Sequence, residues 1–139
     1  SADHLTYVTL PVVKDNKLML KALESVHKSL VINISTILKL EHLYKRINLT
    51  NNPEENLKIF FRKCSKNYGL NDLHDKTIRE LLFLAKKHRE STMEFSKHGK
   101  MMIMNETIVV NFDLEKLKDF LKLSKTLLEN TNRHFRALI

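Results

Sequence analysis

From Lys17 to about Ile47 the sequence contains neither glycine nor proline. A stretch of that length with no breaker has nowhere to turn and reads as helix. Leu23, Val26, Leu30, Ile37, Leu40, Tyr44 and Ile47 recur at spacings built from threes and fours, which lays an apolar stripe along one helical face. Asn33 interrupts that stripe at a core-type position. At 1.5 Å per residue the helix would be ~45 Å long. A helix so long takes most of its stability from packing, so it needs a partner along its whole length.

Breakers are scarce elsewhere too, with two glycines and two prolines in 139 residues. Sandwiches and barrels need turn residues every ~8–12 positions, so an all-β fold is excluded. Residues 1–13 alternate in polarity and stop at Pro11, as a short strand or extended arm, and Asp15 or Asn16 is placed to cap the long helix. The cluster from Asn48 to Asn52 is a turn. Pro53 then takes the first position of a second helix, with Glu54 and Glu55 in its first turn. That helix turns Leu57, Phe60, Phe61, Cys64 and Tyr68 inward and ends at Gly69. Asn71 or Asp72 opens a third helix to about Arg89, whose segment Leu81–Ala85 is apolar all round and is expected at the centre of the fold. Met101–Met104 and Thr107–Val110, joined at Asn105-Glu106 and preceded by Gly99, predict a small β-hairpin. Asp113 caps a last helix with the stripe Leu114, Leu117, Leu121, Leu128, Phe135 and Leu138. The expected fold is mainly α: a four-helix bundle with one very long first helix, a short N-terminal strand or arm and a small β-hairpin near 100–111, in a single domain over 1–139.

Lysine and arginine number 24 against 16 acidic residues, a formal net charge of +8. An excess of that sign favours polyanionic partners, RNA or DNA first. Two clusters concentrate it. Lys58, Arg62, Lys63 and Lys66 run along the second helix, with no acid between residues 56 and 71. Lys86, Lys87, Arg89, Lys97 and Lys100, with His88 and His98, gather around the end of the third helix and the segment beyond it. These nine cations are the expected nucleic-acid contacts. Exposed aromatic rings for base stacking are expected to be few, because the phenylalanines lie on apolar faces.

Other chemistries find no support. Cys64, the single cysteine, lies among Phe60, Phe61 and Tyr68 at helical spacing and reads as a small buried hydrophobe. Glu24 and His27 have the Glu-x-x-His spacing of di-iron bundles, but no second copy exists in the sequence. There is no Gly-x-Ser-x-Gly elbow and too little glycine for a phosphate-cradling loop. No catalytic residue, metal, cofactor or small-molecule ligand is therefore expected. No apolar run is long enough to cross a membrane and no signal segment opens the chain, so a cytoplasmic location without membrane contact is expected and the three Asn-x-Ser/Thr triplets are chance.

In size and helicity the chain is similar to the HEPN ribonucleases, small dimerising helical bundles whose catalysis uses an Arg and a His about five to seven residues apart on one helix. Here Arg79 precedes His88 by nine residues and Arg89 precedes His98 by nine, a step that turns the side chain to the opposite face. Arg133 and His134 are adjacent and diverge too, so no active site carries over. In its Lys-, Ile-, Leu- and Asn-rich, glycine-poor style, and in the run from His88 to Leu117, the chain resembles small uncharacterised archaeal all-α proteins. The expected function is a non-enzymatic interaction module that forms a homodimer and contacts nucleic acid. A helical-bundle ribonuclease with an atypical site and a small subunit of a nucleoprotein complex are the alternatives.

Overall fold

The computed structural model of the protein describes residues 16–138, and of Asn16 only the backbone. The arm expected over residues 1–13 and the cap expected at Asp15 or Asn16 lie outside what is described. The described residues are mostly helical, with four helices among them, α1 (Asn16–Leu43), α2 (Pro53–Ile59), α3 (Asp72–Arg89) and α4 (Leu114–Leu138). Between α3 and α4 stands a three-stranded antiparallel sheet of β1 (Met93–Lys97), β2 (Lys100–Met104) and β3 (Val109–Asp113), in that order.

Helix α1 passes through Asn33 and Ser35 without a break and ends at Leu43, short of the expected Ile47. Arg46 closes the turn by bonding back to Glu41, both through its backbone N–H and through its guanidinium. Ile47 is nevertheless buried, folded back as part of the core. The start of α2 follows its residues closely. The Asn52 side chain accepts from the N–H of Glu54 at 2.9 Å and of Glu55 at 3.3 Å, with Pro53 in the first turn. After Ile59 the helix widens into a π turn, Phe60–Cys64, and then tightens into a 3₁₀ turn, Ser65–Tyr68. Four residues overshoot one α-helical turn by about 40°. The wider turn removes that drift and keeps Phe60 and Cys64, four apart, on the same buried face. Gly69 ends the segment at φ 77°. A Cβ there would lie 2.7 Å from Asn130 Nδ2, which itself donates to the Tyr68 carbonyl at 2.8 Å. The left-handed backbone is what calls for glycine here, and any larger side chain would also displace the Asn130 amide from the Tyr68 carbonyl.

Asn71 and His74 form a reciprocal capping box at the start of α3. Its middle is less buried than expected. Leu81, Leu84 and Ala85 are buried, but Phe83 is exposed, with the Lys87 ammonium 5.4 Å from its ring centre. Asp113 caps α4 by accepting from the Lys116 N–H at 2.9 Å. The stripe of α4 also differs from the expectation: Leu117, Phe120, Leu121, Leu123 and Leu127 are buried, while Leu128 and Phe135 face outward. Leu127 continues the buried face and Leu128, its neighbour, does not, a choice made by how α4 packs on the rest of the fold.

The expected hairpin exists, with its second strand two to three residues later than the sequence suggested. Asn105 spans a four-residue connection rather than a two-residue turn, its side-chain oxygen accepting from the N–H of Thr107 and Ile108. The strand β1 is a correction: residues 93–97, expected as part of a charged loop, pair with β2 along their whole length. His98 and Gly99, at φ 52° and 76°, make the tight β1–β2 turn, the twist that suits a two-residue hairpin. Met101, Ile103 and Phe112 point from the sheet into a core shared with α1, α3, α4 and the turns that follow α2. Among the described residues no helix is long and apolar enough to cross a membrane.

Candidate functional site

Residues of α2, of the π turn that continues it and of α3 line a cleft of about 660 Å³: Glu54, Leu57, Lys58, Phe61, Arg62, Arg79 and Leu82. Its floor is apolar, from Leu57, Phe61 and Leu82. Its rim carries Lys58 and Arg62 from α2 and the turn that continues it, and Arg79 from α3. The Arg79 guanidinium lies 4.0 Å over the centre of the Phe61 ring, close enough for a cation–π contact that fixes both groups. Among the described residues neither Arg62 nor Arg79 forms an ion pair, whereas Lys58 meets Glu55 at 3.4 Å with both ends exposed, a contact worth little in water.

In the sequence Arg79 stands out only as a partner for His88. Its position gives it a different part. Arg79, Leu82, Phe83 and Lys86 share one face of α3 at three- and four-residue steps, and Lys86 stands about 10 Å along the axis from Arg79. The first cluster is thereby continued onto α3. Lys63 and Lys66 are exposed in the turns that follow α2, Lys66 in a loose pair with Asp72 at 3.6 Å. Lys87 reaches Glu90 at 3.5 Å as well as the Phe83 ring, and Arg89 is exposed at the helix end.

The second cluster does not stay together. Lys97 and Lys100 face each other across the β1–β2 ladder beside its turn. Four strand steps, about 13 Å, carry them from Met93, where β1 begins just beyond the end of α3. The charged loop expected beyond α3 is corrected to this strand, which its residues do not announce.

The end of α3 holds instead a compact polar knot. His88 Nε2 lies 2.6 Å from Glu24 Oε1 of α1, and His88 Nδ1 lies 2.5 Å from Glu94 Oε2 of β1. Burial disfavours a charged ring, but the two hydrogen bonds and the two carboxylate charges outweigh it and hold the His88 pKa above its ordinary value. Glu24 thus serves His88, not a metal half-motif with His27. A neighbouring cleft of about 330 Å³ is lined by Leu23, Glu24, His27, Ala85, His88 and Arg89. There His27 is pushed the other way, below its ordinary pKa, by burial first and then by the Arg89 charge. Among the described residues no group of three or more His, Cys, Asp or Glu side chains is arranged to hold a metal ion. Cys64 is fully buried and its thiol is pushed up to about 11 by burial, then by the Glu41 charge, which makes it a poor nucleophile.

No protein-family model matches this chain, and no curated protein or solved structure is significantly similar to it.

One further surface lies on a different pairing, between α1 and α4. Ile32 is 56% exposed and Leu128 53%, and both line a groove of about 310 Å³ with Asn33, Thr131 and Phe135. Asn33 is buried beneath it, and its amide nitrogen has no hydrogen-bond partner among the described residues. An unpaired buried donor of this kind is costly.

Proposed function

We propose that this protein is a non-enzymatic interaction module of the cytoplasm that contacts nucleic acid across α2 and α3 and self-associates through α1 and α4. The observation that carries the reading is Arg79, which joins Lys58 and Arg62 to Lys86 as a basic face, with no carboxylate paired to Arg62 or Arg79 among the described residues. Lysine and arginine rows of this kind bind phosphates by displacing counterions. A binding rather than catalytic role is supported by His88, whose two ring nitrogens are both taken by carboxylates. In this reading the helices form a four-helix bundle whose long first helix is covered by α4 on one side and, over Ile32 and Asn33, by a second copy of the chain. The exposed Ile32 and Leu128 side chains are the apolar surface such a second copy would cover.

Short labelled RNA and DNA, titrated with salt, should show affinity falling linearly on a logarithmic plot. Changing Lys58, Arg62 and Arg79 together to Gln should reduce the slope by roughly 2 for a single strand, at about 0.7 per phosphate contact. Light scattering in the same buffers should give twice the chain mass. A monomer whose binding ignores salt would remove both halves of the proposal.

The ribonuclease reading keeps one observation in its favour, that Arg89 and His27 line one cleft from two different helices. The same labelled RNA recovered intact after long incubation counts against it. Cleavage that is lost in His27→Ala would replace the binding reading.

A further inference from the structure

A purely electrostatic contact would use only the rim of the α2–α3 cleft. Duplex nucleic acid presents a continuous phosphate surface with its bases stacked inside. Against this cleft it would touch Lys58, Arg62 and Arg79 and leave the Leu57 and Leu82 floor facing water. The cleft is open and shallow, about 660 Å³, with room for a small planar group to lie against its floor.

We propose that this cleft receives an unpaired nucleotide of a single-stranded nucleic acid, its base against the Arg79–Phe61 stack and its phosphate on Lys58 and Arg62. This use of the cleft rests on the nucleic-acid reading above and narrows it to single strands. Bases stack on aromatic rings and on guanidinium planes alike, and Arg79 is held over Phe61 at 4.0 Å before any ligand arrives. Leu57 and Leu82 supply apolar contact below the base. Glu54 is the one carboxylate in the lining among the described residues; it repels phosphate from its own side and can accept from a base amino group, which gives the site a direction. One helical turn beyond Arg79, Phe83 is 44% exposed, with Lys87 over its ring. That pair repeats the arrangement of ring and cation and offers a second platform for the next base along α3. Alternation of rings with cations is what a strand with splayed bases requires, and what a duplex cannot use.

The test compares fluorescein-labelled single-stranded RNA, single-stranded DNA, the matching duplex and an abasic single strand by anisotropy at one low salt concentration. Intact single strands are expected to bind about tenfold more tightly than the duplex or the abasic strand, the scale of one stacked base. Arg79→Lys keeps the charge but removes the planar guanidinium. It should weaken intact single strands about tenfold, leave the salt slope unchanged, and barely alter binding of the abasic strand. Arg79 is exposed, so this variant keeps its fold, which circular dichroism checks. RNA and DNA differing from each other would identify a 2′-hydroxyl contact within the same site. Duplex bound as tightly as single strands, with no effect of Arg79→Lys, would overturn the inference and leave the phosphate-binding proposal standing. No binding of any strand would overturn both.

Discussion

Replacing Arg46 with Met is expected to lower the stability of the fold by about 2–3 kcal/mol, although the Arg46 side chain is nearly half exposed. The reason lies with its partner. The Glu41 side chain is 4% exposed and is paired with the Arg46 guanidinium. Taking away one member of a buried pair leaves the other charge uncompensated in a poor solvent, a loss of about 3–5 kcal/mol when both are buried. Access of water to Arg46 discounts that range. The surroundings of Glu41 make relaxation difficult, because its charge reaches Cys64 and Tyr68 and raises the pKa of both, after burial. Two variants separate the causes. Arg46→Met alone should lower the melting temperature by roughly 10 °C. Glu41→Leu combined with Arg46→Met should recover most of that, since an apolar pair of similar volume leaves no charge to solvate. If the double variant is as unstable as the single one, the guanidinium stabilises by packing over Tyr44, 5.1 Å away, and not by neutralising Glu41.

Much of the helical part is legible in the sequence because its ends are written in single residues. Asn52 with Pro53, Asn71, Gly69 and Asp113 each have one backbone geometry that suits them, and each occupies it. The faces are less legible where the backbone departs from a regular helix or where a residue is apolar but outward. Phe83 reads as core by type, yet its ring serves Lys87 on the surface. Leu127 and Leu128 are adjacent and equally apolar, and only the packing of α4 against the rest of the fold decides which is buried. Strand β1 is hidden because its alternation, Met93 and Phe95 against Glu94 and Ser96, lies on an edge strand with no buried residue, so polarity does not mark an inner face. With the strand goes the true placement of Lys97 and Lys100. The polar knot is beyond local spacing altogether, since Glu24 and His88 are 64 residues apart. Arg79 is in plain view, but its part depends on Phe61, which belongs to another element.

The knot at His88 leads to the second large effect, a stability that depends on pH in a direction set by the ring. A neutral imidazole carries one N–H and can donate to one carboxylate, whereas the charged ring donates to two. With Glu24 Oε1 at 2.6 Å and Glu94 Oε2 at 2.5 Å, the arrangement is satisfied only when His88 is protonated. Its folded-state pKa is raised, so the contribution is complete below the unfolded value of about 6.5. It is lost as the pH climbs through the folded value. His88→Ala should therefore cost about 2 kcal/mol at pH 6, on the scale of a hydrogen bond to a charged group, with the Glu24 arm discounted for its exposure. The cost should shrink markedly by pH 9. His27, in the adjoining cleft beside Arg89, works in the opposite sense. Its folded pKa is lowered, so acidification below about 6.5 requires protonation of a ring that burial and Arg89 disfavour, and stability falls there. The two histidines should bracket a maximum near neutral pH. His88→Ala should erase the decline on its alkaline side, and His27→Gln should flatten the acidic side. Denaturant unfolding across pH 5 to 9 reads both limbs. An equal cost of His88→Ala at pH 6 and pH 9 would mean that the charge on the ring contributes nothing to holding α1, α3 and β1 together.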